Sequence, residues 1–140
     1  VVPVGHPLVE AQPLTVERLA EYPIITYHEG FTGRARVEKA FTEAGLVPDI
    51  VMSALDADVI KSYVELGLGV GIIASVAFAP QRDHGLVKLD GSHLFEVSLS
   101  RIAVRRGHLL RRYAYHFIEM CAPELTEVHI QSQVVPAETA

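Results

Sequence analysis

Tyr27-His28-Glu29-Gly30-Phe31-Thr32-Gly33-Arg34 joins a short apolar run, Pro23 to Thr26, to an amphipathic one, Arg34 to Ala44. The first has the length and composition of a strand. The second sets Val37, Ala40, Phe41 and Ala44 on one face at helical spacing, and Gly45 stops it. A helix start leaves about four backbone N–H groups without intrahelical partners and carries roughly half a positive charge, so this turn is a natural anion seat. Gly30 and Gly33 let the backbone approach a ligand closely, and Thr32 offers a hydroxyl either as N-cap or as ligand donor.

Working outward, a second turn answers the first. Ile50 to Ala54 reads as a strand, and Asp56 caps a helix over Ala57 to Leu66 whose core face is Val59, Ile60, Tyr63 and Val64. Gly67 closes that helix, and Val70 to Ala74 is a continuous apolar strand of parallel-sheet type. Before the first turn lie a strand at Val1 to Val4 and a short helix capped by Thr15. After the second come a turn capped by Ser75, strands at Leu86 to Leu89 and Phe95 to Val104, and a helix from Leu109. That helix places Leu110, Tyr113, Ala114, Phe117, Ile118 and Cys121 on its core side, and Pro123 ends it. The segment from Thr126 lacks a clear period and is expected to be loosely ordered. This alternation predicts an α/β fold, a mostly parallel sheet with helices on both faces, with ligands outside the carboxyl ends of its strands.

Composition narrows the function. The 140 residues carry a formal net charge of −5, which argues against this chain gripping nucleic acid by bulk electrostatics alone. The single cysteine excludes an internal disulfide and makes a reducing, cytoplasmic compartment the default. No apolar run approaches the ~20 residues of a membrane span. Val1-Val2-Pro3-Val4-Gly5 has no signal-peptide character and reads as a strand entered midway, as in a chain cut from something longer. Gly67-x-Gly69-x-Gly71 is not a dinucleotide fingerprint, because a helix precedes it and a strand follows. The seven histidines are scattered without metal-ligand spacing, and no nucleophile elbow is present. The expectation is a non-enzyme with no metal.

The ordered set His6-Pro7-Leu8, Leu19-Ala20-Glu21-Tyr22-Pro23-Ile24-Ile25, Phe41-Thr42-Glu43-Ala44-Gly45, Gly67-Leu68-Gly69-Val70-Gly71-Ile72-Ile73 and Val104-Arg105-Arg106-Gly107 resembles the effector-binding domain of LysR-type transcriptional regulators. Gly30-Phe31-Thr32-Gly33-Arg34, Asp56-Ala57-Asp58-Val59-Ile60-Lys61 and Tyr113-Ala114-Tyr115-His116-Phe117-Ile118 narrow the resemblance to the CysB and Cbl branch, which controls sulfur assimilation genes. The resemblance implies a periplasmic-binding-protein type II-like fold and an effector cleft between two subdomains. It implies an acetylserine (O-acetylserine or N-acetylserine), sulfate, thiosulfate or a related sulfur metabolite as effector, with no resident cofactor. It also implies a homodimer or homotetramer whose DNA contacts come from an N-terminal winged helix-turn-helix absent from these residues. On that pattern residues 1–6 are a crossing strand and 7–100 the second subdomain. Residues 101–125 are a crossing strand and the returning helix of the first subdomain, and 126–140 are a tail. With the first subdomain incomplete, this chain alone is expected to bind effector weakly or not at all.

The effector-binding set is then Tyr27, Phe31, Thr32, Gly33 and Arg34 at the first turn and Asp56 and Ala57 at the second, with Thr32 on the position of the family's ligand-contacting threonine. Each has a plainer reading. Thr32 can be only an N-cap, and Arg34 can face water as first-turn arginines usually do. Asp56 and Asp58 would repel an anion unless the ligand also carries an ammonium. Cys121 reads as a small core residue, and the arginines at 105, 106, 111 and 112 as a solvated face. A periplasmic-type carrier of a small anion or amino-acid derivative is the rival function.

Overall fold

Ile24 and Ile25 are both fully buried, yet they belong to different cores, and that alternation sets the architecture. The computed structural model describes residues 1–11, 13–97, 101–105 and 110–134, and the chain divides into two compact units, Val1–Ser98 and Leu99–Ala140. In the first unit, β1 (Val2–Pro3), β2 (Ile24–Tyr27), β3 (Ile50–Ala54), β4 (Val70–Gly71) and β5 (Leu86–Val87) are joined by α1 (Val16–Leu19), α2 (Thr32–Glu43) and α3 (Ala57–Glu65). β2 lies between β3 and β4, parallel to both. β1 pairs antiparallel with β5. Val1 also exchanges two main-chain hydrogen bonds with Gly71, its nitrogen donating to Gly71 O at 2.7 Å and its carbonyl accepting at 2.9 Å. The strands thus form a three-stranded sheet, β3-β2-β4, and a two-stranded one, β1-β5, linked by these bonds of Val1 just before β1.

Successive strand side chains point to opposite faces. Ile24, Val70 and Val2 meet Leu19 of α1 and Val37 and Phe41 of α2. Ile25, Ala54 and Leu86 meet Ile60 and Val64 of α3 on the other face. Helices on both faces of a parallel sheet are the expected arrangement. The turn residues also act as expected. Thr15 caps α1 and Asp56 caps α3. Gly45 and Gly67 close α2 and α3 at φ +71 and +79, each with the next residue donating back to the carbonyl of Phe41 or Tyr63.

The other two glycines of the Gly67–Gly71 run are there for space. A Cβ on Gly69 would lie 2.5 Å from the carbonyl oxygen of Pro23, and one on Gly71 2.8 Å from Val64 Cγ2. Gly69→Ala must displace backbone at the β2–β4 contact, and a loss of about 1–3 kcal/mol is expected in urea unfolding. A midpoint unchanged from wild type would mean that β4 does not lie so close to Pro23.

Several expected elements differ. Val70 to Ala74 is strand only over Val70–Gly71, and Leu86 to Leu89 only over Leu86–Val87. Ser75 opens a 3-10 turn, Ser75–Ala77, but Ala74 is its cap and no side chain bonds there. No strand forms over residues 95–97 or 101–104; residues 98–100 of that expected strand lie outside the described residues. On α3, Val59 and Tyr63 are 38% and 36% exposed, and Lys61 is buried instead.

In the second unit α4 (Arg112–Cys121) and α5 (Glu127–Val134) pack through Tyr115, Ile118 and Ile130. The segment from Thr126, expected to be loose, is therefore helical up to Val134. Thr126 Oγ1 accepts from His129 N at 3.4 Å, and Gln131 Nε2 donates to Glu127 Oε1 at 3.0 Å. Among the described side chains of this helix Ile130 is the buried apolar one, too little to read as a period. On α4, Tyr113 and Phe117 are 70% and 66% exposed, and Cys121 is exposed rather than in the core. Periodicity tells which side chains share a helix face; what covers that face depends on the neighbours.

Candidate functional site

β2 and β3 are parallel neighbours, so their carboxyl ends at Tyr27 and Ala54 lie side by side and the helices that follow start from the same edge of the sheet. At the first turn, His28 N donates to Ala54 O at 2.9 Å, Gly30 turns the chain at φ +93, and Phe31 N donates back to His28 O at 3.3 Å. Phe31 is the N-cap, in extended backbone, and makes no side-chain capping bond. Thr32 is thus the first residue inside the helix. This corrects the capping role expected of it, because a hydroxyl one position into the helix no longer points back at the N3 amide. Among the described residues the Thr32 hydroxyl has no hydrogen-bond partner, and neither do the N–H groups of Thr32 and Gly33; the first pairing within the helix is Arg34 N to Phe31 O at 3.0 Å. Three donors are left at the positive end of a twelve-residue helix.

Arg34 does not face water. It is 8% exposed, with Nε on Glu38 Oε1 at 2.8 Å and Nη1 on Ser53 Oγ at 3.0 Å and Tyr27 O at 3.4 Å. The guanidinium braces the first turn of α2 to the ends of β2 and β3, a use that its planar fork of donors suits. The Tyr27 ring stacks on Phe31, centroids 6.1 Å apart, and its hydroxyl accepts from Ala74 N at 3.3 Å. A Cβ on Gly33 would sit 3.2 Å from Tyr27 Cδ2, which accounts for the glycine.

These residues border a depression of about 480 Å³ lined by Glu29, Gly30, Phe31, Thr32, Arg34, Ala35 and Glu38. Of the expected set it gathers Phe31, Thr32 and Arg34. Tyr27 and Gly33 stand behind them as supports. Asp56 and Ala57 do not line it; they form the second helix start, where Asp56 Oδ1 accepts from Val59 N at 2.9 Å. Asp58 is not a free repelling charge, because Lys61 Nζ lies 2.9 Å from its Oδ1.

Lys61 is the residue the sequence reading missed. It is 6% exposed, and its ammonium also reaches Ala77 O at 3.0 Å and both oxygens of Asp83 at 3.0 and 3.1 Å. Hydrogen bonding to Asp58 and then Asp83 raises its pKa. The Ala79 N–H and then Lys61 hold the Asp83 carboxyl below its usual range. Lysine one position from the apolar Ile60 gives no periodic signal. Among the described residues no three His, Cys, Asp or Glu side chains are grouped to hold a metal ion.

With this geometry in place, comparison with known proteins gives the lineage. The LysR substrate binding domain matches residues 1–126. The chain belongs to this family. The LysR domain is 60% identical over 130 residues to the HTH-type transcriptional regulator SsuR of Burkholderia cenocepacia, covering 93% of this chain and 42% of that protein. It is 50% identical over 131 residues to CysB of the same organism (94% and 42%) and 45% identical over 134 residues to Cbl of Escherichia coli (96% and 42%). The chain thus spans about two-fifths of the length of these relatives. A crystal structure of the cofactor-binding domain of the Cbl transcriptional regulator superposes with a TM-score of 0.75 at 42% identity, over 97% of this chain and 60% of that one. The fold is accordingly periplasmic-binding-protein type II-like, and the relatives of this LysR domain are named as transcriptional regulators.

Proposed function

We propose that this LysR domain is the effector-sensing portion of a regulator of sulfur assimilation and cysteine biosynthesis genes, and that it binds a small sulfur-pathway effector at the start of α2. The observation that carries the site is the Thr32 hydroxyl, which has no partner among the described residues and lies beside two N–H groups in the same state in an open depression. Charge-assisted bonds from such donors suit a sulfate or carboxylate group. O-acetylserine, N-acetylserine, sulfate and thiosulfate are the ligands to try, and similarity to the regulators SsuR, CysB and Cbl supports that choice.

In this reading residues 7–100, nearly all within the unit Val1–Ser98, are the second subdomain after the crossing strand 1–6. Residues 101–125, within the unit Leu99–Ala140, are a crossing strand and the returning helix of the first, followed by the tail 126–140. The exposed face of α4, with Tyr113, Phe117 and Met120, then packs against first-subdomain residues that precede this sequence in its longer relatives. DNA contact belongs to an N-terminal winged helix-turn-helix of the whole regulator, which acts in the cytoplasm. Among the described residues β3 is an edge strand; its own Val51 is exposed, as are Leu55, Val59 and Leu66 after it, and such an edge supports pairing with a second copy in a homodimer or homotetramer. Effector binding biases the relative orientation of the subdomains, provided that it contacts one arrangement better than the other.

Thermal-shift titration of the full-length regulator and its Thr32→Ala variant tests the site. Binding stabilises the protein by RT ln(1 + [L]/Kd). One of the four ligands is expected to shift the wild type and to bind the variant roughly ten- to a hundred-fold more weakly, the loss of one bond to a charged group. Equal shifts in both proteins would keep the ligand class and remove Thr32 from the site. No shift in either would leave the sulfur assignment without support.

A further inference from the structure

We propose that Glu29 is a specificity-determining residue of this site, one that discriminates against ligands carrying only negative charge. The inference rests on the effector reading of the Thr32 turn. Within the depression two carboxylates, Glu29 and Glu38, face one guanidinium, Arg34, so the lining carries an excess negative charge before any ligand enters. The two acids are not equivalent. Glu38 is committed, its Oε1 accepting from Arg34 Nε at 2.8 Å. Glu29 is not: its side chain is 81% exposed and approaches Arg34 Nη2 only to 4.0 Å, too far for a hydrogen bond.

Nη2 is also the part of the Arg34 side chain that makes no hydrogen bond among the described residues, since Nε and Nη1 are taken by Glu38, Tyr27 and Ser53. Glu29 therefore stands as a loose internal counter-ion where a ligand's anion would otherwise find the outer guanidinium nitrogen. The turn around Gly30, closed by Phe31 N on His28 O, holds the Glu29 backbone at the mouth of the depression. A ligand bearing only negative charge must work against this carboxylate. A ligand with an ammonium beside its anionic group can use it.

The test is isothermal titration of the full-length regulator with sulfate and with zwitterionic O-acetylserine, for wild type, Glu29→Gln, Glu29→Ala and Thr32→Ala, at low and high salt. Removing one surface charge near a bound dianion is expected to tighten sulfate binding roughly three- to ten-fold at low salt, with the gain shrinking at high salt. The gain should be the same for Gln and Ala, because it comes from charge, while O-acetylserine affinity stays level or falls. An exposed side chain changed to glutamine leaves the fold intact, which an unchanged melting temperature checks. Sulfate affinity unaltered in both Glu29 variants but lost in Thr32→Ala would overturn the role of Glu29 and leave the site standing. Binding that Thr32→Ala does not disturb, or no binding to any of the four proteins, would overturn the site itself and Glu29 with it.

Discussion

Phe41→Ala is expected to lower unfolding stability by about 3–5 kcal/mol, the range for emptying a fully buried aromatic position. Phe41 is 0% exposed and packs in the cluster formed by Val2, Leu8, Leu14, Leu19, Ile24, Val37 and Val70. The cluster it belongs to joins α2 to β1, β2 and β4, so collapse of its neighbours into the space would have to move the sheet. A small domain has about 5–15 kcal/mol of stability in all, and this one change removes a large share. The functional consequence follows from connectivity: Phe41 anchors the helix whose first residue is Thr32. Urea unfolding of wild type, Phe41→Leu and Phe41→Ala measures the effect, with Phe41→Leu expected between the other two. A loss below about 1 kcal/mol for alanine would show that α2 is not held to the sheet at this point.

Lys61→Met is the second large effect, at about 3 kcal/mol, the low end for breaking a buried pair by removing one partner. The low end applies because Asp83 keeps the Ala79 N–H, which donates to its Oδ2 at 2.7 Å. The ammonium fixes Ala77 O and Asp83 to α3, so its removal frees the segment after β4 that follows the site's edge of the sheet. The pH dependence has a definite sign. Asp83 is depressed below its ordinary 3.8, so its contribution is present above that value and is lost as pH falls through the lower folded-state value. Lys61 is raised above 10.5, so its contribution holds below that value and is lost as pH climbs through the higher folded-state value. Between these limits the pair is intact. Wild type should lose stability below about pH 4 more steeply than Lys61→Met, which has already lost the pair. Parallel acid limbs for the two proteins would refute the linkage.

The sequence by itself determined the elements that rest on local chemistry. Ile24–Tyr27 and Ile50–Ala54 are strands, Thr15 and Asp56 cap their helices, and Gly45 and Gly67 end theirs, because capping, left-handed backbone and short apolar runs involve only near neighbours. The family's ordered motifs were legible for the same reason, and they pointed to the Thr32 turn as the place to look.

What only tertiary structure decided concerns which faces are covered and which charges meet. Val59, Tyr63, Tyr113 and Phe117 have core periodicity but remain exposed, because a helix buries a stripe only where another element lies against it. Arg34 and Lys61 are polar residues at buried positions. Their partners Ser53 and Asp83 are brought to them by sheet order and by the turn after β4, not by sequence spacing. Thr32 became a donor without a partner among the described residues, rather than a cap, through a shift of one residue in where α2 begins. That shift depends on the backbone path through Gly30 and Phe31, which is set by the Tyr27 ring and by the pairing of His28 with Ala54 across the sheet.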